Sequence, residues 1–289
     1  MELRTLSLAQ IRQRLAQGEL APGEALLDAL RRDPRRGAVR LVREIESRRE
    51  RIAGEVSRLA ALFSTEEELR AAGVERIAGV DEVGMGPLAG PVVAAAVVLP
   101  AGLRPAGLDD SKRLSRAARE RLDREIRAAA IDWAIGSVDT EEIDRIDIHR
   151  AGLLAMRRAL EGLRRRPQLA LVDARHVPGI DVPQRAFVGG DARIGSIAAA
   201  SVVAKVWRDA RMCELDRRHP GYGFARNAGY GTAEHLRALD ALGPSGVHRR
   251  SFAPVRAVLR SGEGTPRAAP EAAAPLVLPS DLDAEETAR

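Results

Sequence analysis

Within this 289-residue chain two apolar runs are separated by a glycine- and proline-rich turn, and the first run ends in two adjacent acids. From residue 77 to residue 99 the sequence reads IAGVDEVGMGPLAGPVVAAAVVL. Short apolar runs bounded by Gly and Pro predict buried strands, so residues 77–81 and 92–99 are expected to pair as a hairpin through the intervening turn. Pro87, Gly90, Pro91 and Pro100 also break the stretch into pieces too short to span a bilayer as a helix. Neighbouring strand residues point to opposite faces, so Asp81 and Glu82 can serve one site only if the strand ends or bulges there. The glycines that follow permit this. Two repelling carboxylates call for a compensating charge, and a hard cation with oxygen ligands is the usual one. Taken alone, the pair reads equally well as a polar strand terminus before a turn.

Two further acids stand in comparable settings. The run LALVD, residues 169–173, is a short apolar strand ending on Asp173, and sites collect at the carboxyl ends of strands in open α/β sheets. Residues 196–218 form a helix in which Ser201, Lys205 and Asp209 recur at i, i+4, i+8 and so share one face among small apolar neighbours. An intrahelical Lys205–Asp209 pair is the plainer reading of that spacing. Divalent ions of the Mg²⁺ type use few carboxylates and keep water or phosphate oxygens as further ligands. Two of them, about 3.5–4 Å apart, can assist phosphodiester hydrolysis. The five histidines show no paired spacing, which argues against a zinc site.

Around these motifs the chain divides into three. Residues 1–72 read as helices: Leu8, Ile11 and Leu15 recur at helical spacing, and residues 40–62 carry a stripe of Leu41, Ile45, Ile52, Val56, Leu59 and Leu62. Residues 31–51 hold nine arginines against four acids, either a solvated face or an arm that touches phosphates. Residues 73–260 alternate strands and helices, with a third strand at 131–138 and helices capped by Ser115, Thr140 and Thr232. A last short helix is expected at 252–259. Residues 261–289 are acidic and rich in Pro and Ala, and are expected to form a disordered tail. That segment carries two arginines against six acids, so residues 1–260 hold +9 of a chain whose net charge is +5. The balance favours a polyanionic partner such as nucleic acid. One cysteine, Cys213, permits neither a disulfide framework nor a cysteine zinc cluster and suits a reducing cytoplasm, where the protein is expected to reside. Of the 46 basic residues only Lys112 and Lys205 are lysines.

The runs GVDEVGMGPLAGPVVAAAVVLP, LDDSKRLS, LVDARHVP, GDARIGSIAAASVVAKVWRD, GYGT with His235, and HRRSFAPV, in unbroken order over about 75–257, closely resemble bacterial ribonuclease HII. The helical region before them is similar to the extension of longer family members. The resemblance implies a ribonuclease H-like fold, a mixed five-stranded sheet flanked by helices. It also implies an endonuclease that cleaves RNA in RNA–DNA hybrids and incises at single ribonucleotides in duplex DNA, leaving a 5′-phosphate and a 3′-hydroxyl, with Mn²⁺ or Mg²⁺ as cofactor. The family's four acids map onto Asp81, Glu82, Asp173 and Asp209. Asp81 would anchor the metals, Glu82 and Asp173 would ligate them, and Asp209 would position the second. The turn Gly84-Met85-Gly86 would read the 2′-hydroxyl at the junction, Tyr230 would stack beside it, and Ser111, Lys112 and Lys205 would lie near the substrate. Its partners would be RNA–DNA hybrids and ribonucleotide-containing duplexes, bound by a monomer with no membrane association. Three positions depart from the family pattern. Met85 replaces an arginine, Gly189 a lysine and Asp147 an asparagine, each change lessening the attraction for phosphate.

Overall fold

The computed structural model describes residues 5–262. Its centre is a five-stranded mixed sheet of order β3-β2-β1-β4-β5. Strands β1 (Ile77–Val83) and β2 (Val92–Val98) pair antiparallel from Ala78↔Val98 to Val83↔Val93, as the apolar runs and the turn between them predict. Strand β3 (Asp132–Val138) extends the antiparallel half beyond β2. On the other side β4 (Leu169–Asp173) lies parallel to β1, and β5 (Gln184–Phe187) parallel to β4. Strand β5 has no apolar alternation. It is an edge strand ordered by its ladder to β4, and sequence pattern alone does not announce it.

Every residue of β2 is buried, because helices cover both faces of the sheet. On one face α7 (Ile148–Glu161) packs against Ala78, Val80, Ala94 and Ala96. On the other, α5 (Arg116–Ala129) and α8 (Gly195–Arg218) cover Val93, Ala95 and Val97. The approach of α8 is very close at Gly79, where a Cβ would come within 2.0 Å of the Ser196 carbonyl carbon, so only glycine fits. Residues 140–163 do not form one helical region. Asp147, at φ 74°, separates α6 (Thr140–Ile146) from α7, and the cap of α6 is Asp139, whose carboxylate accepts the Glu142 N–H, rather than Thr140. After α8 come α9 (Phe224–Asn227), α10 (Ala233–Leu242), capped by Thr232 as expected, and α11 (Ala253–Ser261). The expected disordered tail lies, from residue 263 on, outside the described residues.

The N-terminal region is helical, in four pieces: α1 (Leu8–Ala16), α2 (Glu24–Arg31), α3 (Ala38–Leu62) and α4 (Ser64–Ala71). The apolar stripe of α3 is not continuous. Leu41 and Ile45 join a small cluster with Ile11, Leu26, Leu27 and Leu30, whereas Leu59, Leu62 and Phe63 pack with β2 and α8. Between these ends Ile52 and Val56 are 55% and 59% exposed. A 25-residue helix is about 37 Å long, so its two ends reach different bodies and its middle bridges open space. Of the nine arginines in 31–51, four are engaged locally: Arg31 with Glu46, Arg35 with Asp33, Arg40 with Glu44 and Arg49 with Glu24.

The expected division at residue 72 cuts through a packed interface. Phe63 fills the space above Gly195, where a Cβ would lie 2.3 Å from its ring. The buried Glu66 accepts the Ser196 N–H at 2.7 Å, capping the first turn of α8 from a separate helix. That turn has no side-chain cap of its own. Glu66→Ala leaves a buried donor unpaired and should lower the unfolding free energy by about 2 kcal/mol in a denaturant titration. Glu66→Gln, which keeps the acceptor oxygen, should recover more than half of that loss; equal losses for the two variants would rule out the cap as the source.

Candidate metal centre and substrate cleft

Asp81 and Glu82 come together without a bulge. The ladder from β1 to β2 runs unbroken through Asp81↔Ala95 and Glu82↔Ala94 to Val83, whereas the ladder to β4 stops at Val80↔Val172. By register Asp81 lies on the α8 face and Glu82 on the α7 face. Asp173 ends β4 at the gap, and one carboxylate oxygen from each of the three acids lies within 4.8 Å of the others. The one-sided end of the strand does what a bulge was expected to do.

The environment of this cluster disfavours its own charge. Burial raises Asp81 well above the usual carboxylate range, and the neighbouring Glu82 charge adds to the effect. Glu82 is raised by burial and then by Asp173, and Asp173 is raised chiefly by burial. Some compensation is present: Asp81 accepts the Glu82 N–H at 2.8 Å and a hydrogen bond from Ser201, and Asp173 accepts the Gly190 N–H at 2.6 Å. Glu82 Oε2 is buried with no hydrogen-bond partner among the described residues. Converging oxygens, raised affinities for a proton and an unpartnered buried oxygen are what a divalent cation would neutralise, so the donor set fits a hard metal ion.

Asp209 is not part of the cluster. It lies two turns beyond Ser201 on α8, about 12 Å along the axis. It pairs with Lys205 Nζ at 2.5 Å, with Arg119 at 3.9 Å. The Ser201–Lys205–Asp209 stripe therefore divides, Ser201 facing Asp81 and the other two facing each other. Asp191 lies nearer to the cluster. It is buried on a 3-10 turn at Gly190–Ala192, its charge raises both Asp81 and Asp173, and its Oδ2 accepts from Lys112 Nζ at 3.0 Å. The sequence signal for Asp191 was an acid after two glycines at the end of β5. Ser111, expected at the substrate, is buried and braces Ser201 through a 2.8 Å hydroxyl contact. Lys112 is exposed at the rim, whereas Lys205 is committed to Asp209.

Beside the acids, two loops approach each other at Gly86 and Tyr230 and are the walls of the candidate substrate cleft. The first follows β1 and turns at Gly84, where a φ of 91° and the 2.3 Å that would separate a Cβ from Arg208 Nε exclude a side chain. It is held by two fully buried arginines that bond carbonyls. Arg249 donates to Gly84 O (2.6 Å), Met85 O (3.0 Å) and Gly90 O (3.0 Å). Arg208 donates to Pro91 O (3.0 Å) and to Ala228 O (3.1 Å) in the second loop. Burial, and then the charge of Arg208, lower Arg249 to about 9. Tyr230, in the second loop, is 43% exposed and lies against Gly86. Neither arginine was singled out from sequence, since a composition rich in Arg hides the few that are structural.

The three departures all have local structural roles. The Met85 side chain turns inward onto α7, its Sδ 2.9 Å from where a Cβ on Gly152 would stand. Asp147 caps α7, accepting the His149 and Arg150 N–H groups at 2.8 and 3.0 Å, and these bonds lower its pKa. Gly189 adopts φ 65°, a left-handed conformation that disfavours the side chain it replaces.

A family model described as ribonuclease HII matches residues 78–255, and one described as ribonuclease HII N-terminal domain matches residues 7–70. The chain is 50% identical over 272 residues to a ribonuclease HII of Myxococcus xanthus, covering 94% of this chain and 93% of that protein. It is 54% identical over 206 residues to a ribonuclease HII of Paracoccus denitrificans, covering 71% and 98% respectively. Its fold is similar to the crystal structure of ribonuclease H2 from Pyrococcus horikoshii, with a TM-score of 0.57 and 27% identity over 64% of this chain and 98% of that one.

The acid cluster makes a prediction about stability. An acid whose folded pKa is raised binds its proton more tightly in the folded state. The metal-free protein is therefore penalised at neutral pH, and the penalty fades as pH falls through the raised values toward the ordinary range near about 4. Asp81→Asn should raise the melting temperature of metal-free protein at neutral pH, with a gain that shrinks toward acid pH. Added Mn²⁺ or Mg²⁺ should stabilise the wild type more than the variant. A pH-independent difference between the two would mean that the carboxylates do not repel one another.

Proposed function

The chain belongs to the ribonuclease HII family, nucleases that cleave the RNA of RNA–DNA hybrids, and we propose that it also incises at single ribonucleotides embedded in duplex DNA, leaving a 5′-phosphate and a 3′-hydroxyl. The observation that carries this reading is the meeting of Asp81, Glu82 and Asp173 at the open end of β1, directly beside the Gly84–Gly86 turn and Tyr230. Asp81, Glu82 and Asp173 would hold Mn²⁺ or Mg²⁺, with Asp191 rather than Asp209 as the fourth acid. Two bound ions would activate the attacking water and stabilise the leaving oxygen. A bound cation would relieve the repulsion among the acids, and protons compete for the same oxygens, so binding should weaken in acid. Lys112, tied to Asp191 at the rim, supplies positive charge where a phosphate would enter.

Recognition is the work of the two loops. With the carbonyls of Gly84 and Met85 committed to Arg249, the turn offers its N–H groups to a 2′-hydroxyl, the one group that separates RNA from DNA locally. Tyr230 presents a ring beside it on which a sugar or base can rest. The N-terminal helices would add affinity through those arginines of α3 that pair with no acid among the described residues.

Purified protein with Mn²⁺ or Mg²⁺ should cut a duplex carrying one ribonucleotide, and Asp81→Asn should reduce the rate by about a thousandfold. Asp191→Asn should cost about a hundredfold or more, and Asp209→Asn less than about tenfold. The reverse order would restore Asp209 to the centre. Tight, salt-sensitive binding without turnover would make the protein a hybrid-binding module instead.

Met85 supports a second reading, a preference shifted toward long hybrids, because its side chain packs onto α7 instead of reaching the cleft. Met85→Arg should then raise kcat/KM on the single-ribonucleotide duplex several-fold, by roughly 3–10 times, relative to a continuous hybrid. An unchanged ratio would show that residue 85 sets no preference.

A further inference from the structure

The wall of the cleft that carries Tyr230 is tied down by a hydrogen-bond chain that the cleavage chemistry does not use. The Tyr230 carbonyl accepts from His235 Nδ1 at 2.9 Å, and His235 Nε2 lies 3.0 Å from His248 Nε2. At the far end, His248 Nδ1 faces the Ser245 N–H at 3.0 Å and the Ser245 hydroxyl at 2.8 Å. The backbone N–H of Ser245 can only donate, which fixes every proton in the chain. His248 Nδ1 must be bare, so its proton sits on Nε2 and is donated to His235 Nε2. His235 must then carry its proton on Nδ1, where it is donated to Tyr230 O.

Both rings are buried, at 0% and 2% exposure, in a pocket closed by Tyr222 and Phe224. A second proton on either ring would place two donors face to face. Burial pushes His248 down to about 3 and also lowers His235, in keeping with two neutral rings. The chain is also next to the other wall of the cleft. His248 is followed by Arg249, which holds the carbonyls of Gly84 and Met85, so one dipeptide fixes both the glycine turn and the tyrosine that lies against it.

We propose that His235 and His248 are positioning residues for substrate recognition: a neutral, proton-ordered relay that sets where Tyr230 stands against the Gly84–Gly86 turn. The proposal rests on the reading of Tyr230 as a substrate contact, and the test separates the two. On the full-length protein with Mn²⁺ and a duplex bearing one ribonucleotide, His248→Leu should raise KM about tenfold while kcat changes less than about threefold. His248→Gln, whose amide N–H can still donate to His235, should restore most of the lost affinity. Tyr230→Ala should raise KM to a similar degree, and His248→Leu added to it should cost less than about a further twofold, because both changes remove one interaction.

Full additivity of the two changes, or a fall in kcat with KM unmoved, would overturn the relay. If Tyr230→Ala alone leaves KM unchanged, the reading of Tyr230 fails and takes the relay's role in recognition with it. A normal loss for Tyr230→Ala with a neutral His248→Leu sinks the relay alone. Should His248→Leu not fold, the histidine ¹⁵N spectrum of the wild type still decides. His235 should appear as the Nδ1–H tautomer and His248 as the Nε2–H tautomer, both uncharged near neutral pH; any other assignment refutes the ordered chain.

Discussion

The seating of α8 on β1 at Gly79 is the contact from which the site takes its dimensions. With no side chain at residue 79, the first turn of α8 rests on the strand backbone two residues before Asp81. Ser201, less than two turns along the helix, then reaches the Asp81 carboxylate. The same turn is capped by Glu66 and covered by Phe63, so the N-terminal helices help to seat the helix on which the centre depends. A larger residue at 79 would lift α8 and separate Ser201 from Asp81. The carboxylates would then lose one of the few hydrogen bonds that offset their repulsion.

A like-charged cluster held this tightly needs rigid surroundings, and much of the rigidity next to it comes from buried arginines bonded to carbonyls. Arg208 and Arg249 satisfy the carbonyls of a loop that crosses the end of the sheet with little regular pairing of its own. Unpaired, those carbonyls would each carry a desolvation cost. Each guanidinium reaches several at once, which fixes the loop as a unit. The burial that lowers Arg249 to about 9 leaves it cationic at neutral pH, so the donors remain in place.

What the sequence made legible follows from how local each signal is. Strands β1 and β2 and the burial of α8 were readable because apolar runs and small-residue helices declare themselves within a few residues. Asp173 was readable because it ends such a run. Asp191 was not, because the strand before it is ordered by a neighbour far away in the chain and has no pattern of its own. The signal at Asp209 is of the opposite kind. Its i+8 spacing from Ser201 is a true helical stripe, but a stripe gives only the direction of a side chain and not how far along the helix the site extends. The cap from Glu66 spans 130 residues in sequence, beyond the reach of any local pattern.

The three departures from the family pattern illustrate the same limit. Counted as charges, Met85, Gly189 and Asp147 together predict weaker attraction for a polyanion. In the fold, Asp147 spends its charge on two backbone N–H groups at the start of α7, where the helix dipole already favours an anion. Gly189 relieves a left-handed backbone, and a Cβ there would meet nothing within 4 Å. Met85 alone exchanges a group that could have entered the cleft for one that anchors the cleft's wall to α7. The added charge of Asp147 is thus spent within the fold, Gly189 removes a charge without disturbing its surroundings, and at Met85 the exchange is of reach for anchorage. Arg249 holds the backbone of the turn from the other side, so an apolar residue 85 leaves the backbone that would read a 2′-hydroxyl in place.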